Sequence, residues 1–109
     1  MYELDRSIVS CHLAGFAYHD GVEQFFELRV GTPLTLQGEP DNPHDPEAVA
    51  VYHDEKKLGY LPSSHTHEVS RLLYYGHTDV LEAFVNRVSP DVHPEAQIGI
   101  VVRVRDARG

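Results

Sequence analysis

Polar and apolar residues alternate in short stretches along this chain, and helical spacing interrupts them only twice. In IVSCHLA, residues 8–14, Val9, Cys11 and Leu13 share one face while Ser10 and His12 share the other. That is the period of a half-buried strand, and Gly15 ends it. YHDG, Tyr18 to Gly21, is a turn signal, because Asp-Gly suits positions where φ must be positive. In VEQFFELR the apolar residues fall at 22, 25, 26 and 28. Spacings of three and four predict a short helix near 22–29, stopped by Gly31.

Alternation returns in PLTLQGE, with Leu34 and Leu36 inward and Thr35 and Gln37 outward. AVAVYH (48–53) reads as a strand, DEKK as a turn and KLGYL (57–61) as the hairpin partner. Pro62 then opens a longer helix near 63–75, with Ser63 or Ser64 as cap. Val69, Leu72 and Leu73 form its buried stripe, and Gly76 is its natural stop. Tyr74 and Tyr75, at its end, read as packing residues. DVLEAFVNRVS (79–89) predicts a strand with Leu81, Ala83 and Val85 on one face, and PDVHPEA a loop. The last strand is the clearest: Ile98, Ile100, Val102 and Val104 alternate with Gly99, Val101, Arg103 and Arg105. Six short strands in antiparallel steps, interrupted by helix, predict a mostly β, α+β fold. A small closed or partly open barrel fits this pattern, and so does an open sheet with the helix on one face.

The chain has 109 residues, which sets an expectation of one domain over 1–109. Its single cysteine, Cys11, rules out an internal disulfide and fits a reducing compartment. No run approaches the roughly 20 apolar residues of a membrane helix, and the opening MYELDRS is acidic, unlike a signal peptide. A cytoplasmic protein with no membrane partner is expected, as a monomer or weak dimer. The net charge is −8, and Lys and Arg number only nine. Three of them, Arg103, Arg105 and Arg108, lie in a short basic tail, 103–109. Generic nucleic-acid affinity comes from Lys and Arg at phosphates, so a long phosphate-tracking groove is disfavoured. A site that touches one or two phosphates stays open.

Catalytic signals are weak. Cys11 has His12 beside it, but neighbours on a strand point to opposite faces, and a nucleophilic thiol needs its base within reach. Cys11 reads as a buried structural thiol. There is no Gly-x-Ser-x-Gly elbow and no phosphate loop, so no motif argues for an enzyme. Of the eight histidines, His65 and His67 would sit about 200° apart on a helix and could not share an ion. One cysteine cannot support a Cys-rich zinc site. The loop's oxygen-bearing Asp41, Asn42 and Asp45 are interrupted by Pro43, where a calcium loop wants an oxygen ligand. No metal and no cofactor are expected.

One loop carries more constraint than a turn requires. In GEPDNPHDPEAVAVY, from Gly38 to Tyr52, Pro43 and Pro46 fix φ twice. They also bias Asn42 and Asp45 towards extended backbone. Asn42 and Asp45 can fold their side chains onto nearby N–H groups. The plain reading is a well-made turn. The functional reading is a platform that presents the Asp45 carboxylate and the His44 ring from a backbone that cannot relax. Tyr18 and Tyr60 could add stacking surfaces for one or two bases.

AGFAYHDG, then LTLQGEPDNPHDPEAVAVY, then KLGYLPSSHTHEVSRLLYYG together resemble the HIRAN domain, over about residues 8–88. The ordered Asn-Pro-x-Asp-x-x-Ala-Val core is the most specific part. The resemblance implies a six-stranded OB-like barrel with two helices. It also implies a module that binds single-stranded DNA at a free 3′ end. Asp45 would accept a hydrogen bond from the terminal 3′-hydroxyl, with Asn42 as its loop partner. Tyr18 and His44 would face the terminal nucleotide, and Tyr60 would line the pocket. The chain departs from the DNA-binding pattern at three positions: Ala17 and Ser63 replace basic residues, and His44 replaces a tyrosine. The alternative is therefore a protein- or small-ligand-binding adaptor of the same fold that has lost DNA.

Overall fold

The computed structural model describes residues 6–15, 27–89, 98–106 and 108. Strand β1 is Ser7–His12, β2 Pro33–Gly38, β3 Val49–His53, β4 Lys56–Tyr60, β5 Leu81–Val88 and β6 Ile98–Val104. All six expected strands form, each within two residues of its predicted bounds. Their alternation decides their burial. Val9 and Leu13 of the β1 stretch, Leu34, Ala83, Val85, Ile98, Ile100 and Val102 turn inward and pack into one core. Val104 breaks the pattern and is exposed at the end of β6.

The sheet runs β1-β6-β5-β2-β3-β4, antiparallel throughout. It curls until its edges meet. Ala14, just past β1, and Tyr60, the last residue of β4, exchange backbone hydrogen bonds of 2.8 Å in each direction. One bridge thus closes the six strands into an OB-like half-barrel. Three slips of register help the sheet bend. Ile8, Leu58 and Asn86 each stand as an extra residue opposite a continuous partner strand, and such bulges increase local twist.

The helical elements differ in detail from the sequence expectation. Residues 22–26 of the expected short helix lie outside the described residues. The longer helix is divided into a 3-10 turn, Ser63–His65, and helix α1, His67–Tyr74. Neither Ser63 nor Ser64 caps it. Thr66 stands at the junction, buried, and its hydroxyl donates to the Ser63 carbonyl at 3.2 Å. The stop is as expected. Gly76 takes φ 87°, its N–H reaches the Leu73 carbonyl, and the His77 N–H reaches Leu72. This pairing is a Schellman motif, which needs a left-handed residue at that position. Val69 is buried and Leu72 and Leu73 pack on the core edge. Two turns of helix cannot bury every side, however, and Tyr74 and Tyr75 are 65% and 74% exposed. They are not core residues.

Candidate functional site

β2 and β3 hold the constrained loop between them like a clasp. At its base the Glu39 N–H donates to the Ala48 carbonyl at 2.9 Å. Inside it, Asn42 acts as the organiser. Its Oδ1 accepts from the backbone N–H of His44 at 2.8 Å and of Asp45 at 3.1 Å. Its Nδ2 donates to Glu39 Oε1 at 3.0 Å. A side chain that satisfies two loop N–H groups replaces hydrogen bonds that a helix or sheet would supply.

Asp45 completes the turn. Its Oδ1 accepts from the Glu47 N–H at 2.9 Å, and its carbonyl accepts from the Ala48 N–H at 3.1 Å. Among the described residues no side chain bonds its other carboxylate oxygen. The His44 ring beside it is exposed. Asn42, His44 and Asp45 are therefore brought together, with Asn42 and Asp45 half-buried and His44 exposed. Tyr18 lies outside the described residues.

Tyr60 ends β4 at the foot of the loop. Its hydroxyl donates to Glu39 Oε1 at 2.9 Å and accepts from Lys57 Nζ at 3.0 Å. Lys57 Nζ also donates to Glu39 Oε2 at 2.8 Å. The three side chains brace the foot of the loop against β4. Burial works against the Glu39 charge. The hydrogen bonds from Lys57, Asn42 and Tyr60 outweigh it, so its carboxyl titrates below the usual range. The same contacts raise the Lys57 ammonium, which stays charged.

A second tie holds the far wall of the loop to the helix. His67, the first residue of α1, meets Glu47 with Nδ1 to Oε2 at 2.7 Å. Between this wall and α1 lies a cleft of about 780 Å³, bordered by Pro40, Pro46, Arg71, Tyr74 and Tyr75. Reading the sequence did not single it out, because it depends on how α1 lies across β2. The one available signal was the Tyr-Tyr pair with an arginine four residues before its second member.

Cations are sparse around the loop. Arg87 bonds Ser89 at 2.8 Å and Arg29 bonds the Leu28 carbonyl at 3.0 Å. The Arg29 N–H bonds the Thr32 hydroxyl at 2.9 Å, and Thr32 precedes β2, whose opposite end leads into the loop. The tail arginines are engaged as well. Arg103 sits on Glu82 at 2.9 Å and over the Phe84 ring at 4.6 Å, and Arg108 clasps Asp106 at 2.8 Å. Elsewhere, Cys11 is half-buried, and burial pushes its thiol up to about 11, so at neutral pH it is not a thiolate nucleophile. Among the described residues no three His, Cys, Asp or Glu side chains gather as metal ligands, and no helix is long and apolar enough to cross a membrane.

The sequence profile of the HIRAN domain family matches residues 8–105, past the motif-bearing stretch and through β6. Among solved structures the chain is similar to a protein from Lactobacillus plantarum, with a TM-score of 0.73 and 24% identity. That likeness covers 93% of this chain and 96% of the other. It is also similar to the HIRAN domain of human HLTF, with a TM-score of 0.56 and 19% identity over 90% of this chain and 77% of that one. At these identities both likenesses speak for the fold. No curated protein matches the sequence.

Proposed function

The chain belongs to the HIRAN domain family, and from that premise we propose that it binds single-stranded DNA at a free 3′ end. The observation that carries the reading is the carboxylate of Asp45. Asn42 and the Glu47 N–H fix its position, and one oxygen is left to accept. A terminal 3′-hydroxyl is a donor of matching character. His44 offers an exposed ring beside it, and Tyr18 is the expected second stacking partner.

A 3′-phosphate would place negative charge against Asp45. Fluorescence anisotropy should therefore show tighter binding of a 3′-hydroxyl oligonucleotide than of its 3′-phosphate counterpart. Asp45→Asn should abolish the difference. With one or two phosphates contacted, the log–log salt slope should be shallow, on the order of −0.7 to −1.4. Equal affinity for the two ends in the wild-type protein refutes end recognition.

A second reading is favoured by Ala17 and Ser63 in place of cations and by the net charge of −8. It makes the domain a protein- or small-ligand-binding adaptor. A flat DNA titration at low salt, with the protein folded, selects this reading.

A further inference from the structure

The cleft between the loop and α1 is separate from the Asp45 surface. Pro46 and Glu47 form its wall, whereas His44 and Asp45 are not among its lining residues. Its size falls within the roughly 300–1,000 Å³ of small-ligand sites. Its floor is apolar, from Leu36, Leu73 and Ala48.

Two features give it a chemical preference. The first is aromatic. Tyr74 and Tyr75 stand largely in solvent, with ring centroids 4.9 Å apart and planes at 83°. Rings meeting edge to face form a corner, and a flat ligand can lie on the face of one while touching the edge of the other. The second is charge. The cleft contains Glu39, Glu47 and Arg71. Glu39 is held by Lys57, and Glu47 meets His67. Among the described residues Arg71 has no acidic partner. In a chain of net charge −8, the one Lys or Arg among the residues lining this cleft is thus a guanidinium without an acidic partner. Arg71, Tyr74 and Tyr75 are spaced three and four apart, which places them together on one side of α1.

We propose that this cleft is a second binding site, for a nucleotide: a base stacked on the Tyr74–Tyr75 corner with its phosphate paired to Arg71. Guanidinium binds phosphate through two parallel N–H donors, and base stacking on tyrosine is tolerant of sequence. Two sources can supply the group. One is a free nucleotide. The other is a nucleotide upstream in the strand whose end is read by Asp45, and this source alone rests on the function proposed above.

The test is a titration of the full chain with the 2′,3′-dideoxynucleotides ddAMP and ddTMP, which keep base and 5′-phosphate but lack the 3′-hydroxyl, followed by NMR of the tyrosine rings. Binding should shift the Tyr74 and Tyr75 ring signals. The matching nucleosides, which lack phosphate, should bind at least tenfold more weakly. Arg71→Gln should lose the same factor and Arg71→Lys should recover part of it. These nucleotides offer no 3′-hydroxyl to Asp45, so failure of end recognition does not touch this arm. If only a strand is the source, mononucleotides stay silent. Arg71→Gln then weakens a 3′-hydroxyl oligonucleotide several-fold, while its preference over the 3′-phosphate form is kept. Arg71→Gln without effect on either ligand overturns the proposal, as does a cleft that answers to an acidic peptide and to neither nucleotide form.

Discussion

Lys57 and Tyr60 lie three residues apart on one strand, yet Nζ and Oη meet at 3.0 Å. On a regular strand, residues of opposite parity face opposite sides. Here the register slips: Val51 pairs with Gly59, and Tyr52 pairs with Lys57. Leu58 is the extra residue, and Leu58 and Gly59 are both buried. The bulge resets the parity of β4 and turns Lys57 towards Tyr60 and Glu39. The foot of the signature loop is thereby fixed by a backbone irregularity.

Tyr60→Phe tests this brace. It removes the hydroxyl and keeps the ring. Glu39 retains Lys57 and Asn42, so no charge is stranded. The expected loss is about 1 kcal/mol, the usual net worth of one hydrogen bond with allowance for a charged partner. Urea unfolding measures it. A loss near zero would mean that the Lys57–Glu39 pair holds the loop by itself.

Acid should loosen the same brace. The Glu39 pKa is lowered in the folded state: burial opposes its charge, but hydrogen bonds from Lys57, Asn42 and Tyr60 prevail. A carboxyl depressed on folding adds stability above its unfolded pKa and loses it as pH falls through the folded one. The unfolded value is near 4.5. Wild-type Tm should therefore drop as pH is lowered from neutral through this value and below. Glu39→Gln, less stable at neutral pH, should show a shallower drop. Parallel Tm curves for the two proteins would remove Glu39 from the acid response.

These residues also mark what the sequence could convey. Alternation at Ile98, Ile100 and Val102 follows from local pattern alone, and so does the stop at Gly76. The Asn-Pro-x-Asp order placed Asn42 and Asp45 in one loop because their contacts are local, two to three residues away. Lys57 with Glu39 was illegible, since period-2 reasoning assumes that no bulge intervenes. The exposure of Tyr74 and Tyr75 was also missed. A tyrosine after a buried stripe packs or projects according to where the helix ends against the sheet, which is a tertiary fact.

The β3–β4 turn carries strain that a substitution can release. His53 pairs with Lys56, leaving Asp54 and Glu55 as a two-residue loop with φ of 47° and 70°. Both central residues of a type I′ turn need positive φ, which Asn-Gly supplies most readily. A left-handed L-residue costs roughly 1–2 kcal/mol, and glycine returns part of that gain through its freer unfolded chain. Glu55→Gly should stabilise the protein by about 0.5 to 1 kcal/mol. Thermal unfolding gives the sign, and a destabilised variant would place the turn elsewhere.

Gly99 provides a test in which two physical effects have opposite signs. In a strand interior, glycine normally gives way to alanine with a gain of roughly 0.5–1 kcal/mol. Here the alanine Cβ would stand 2.7 Å from Asn86 Oδ1 and 3.0 Å from Arg87 Cβ. Asn86 is the extra residue on β5, and its Nδ2 passes over β6 to reach Ser10 Oγ on β1 at 3.2 Å. Its amide could swing aside only by giving up that bond. Arg87 Cβ is fixed to the backbone and must shift with it. Gly99→Ala should therefore destabilise, by about 1–3 kcal/mol as for other overpacked sites. In an Asn86→Ala background the closest contact is gone, and the same change should cost distinctly less. Equal costs in both backgrounds would assign the clash to Arg87, and a stabilised Gly99→Ala would show that the strand relaxes around the methyl group.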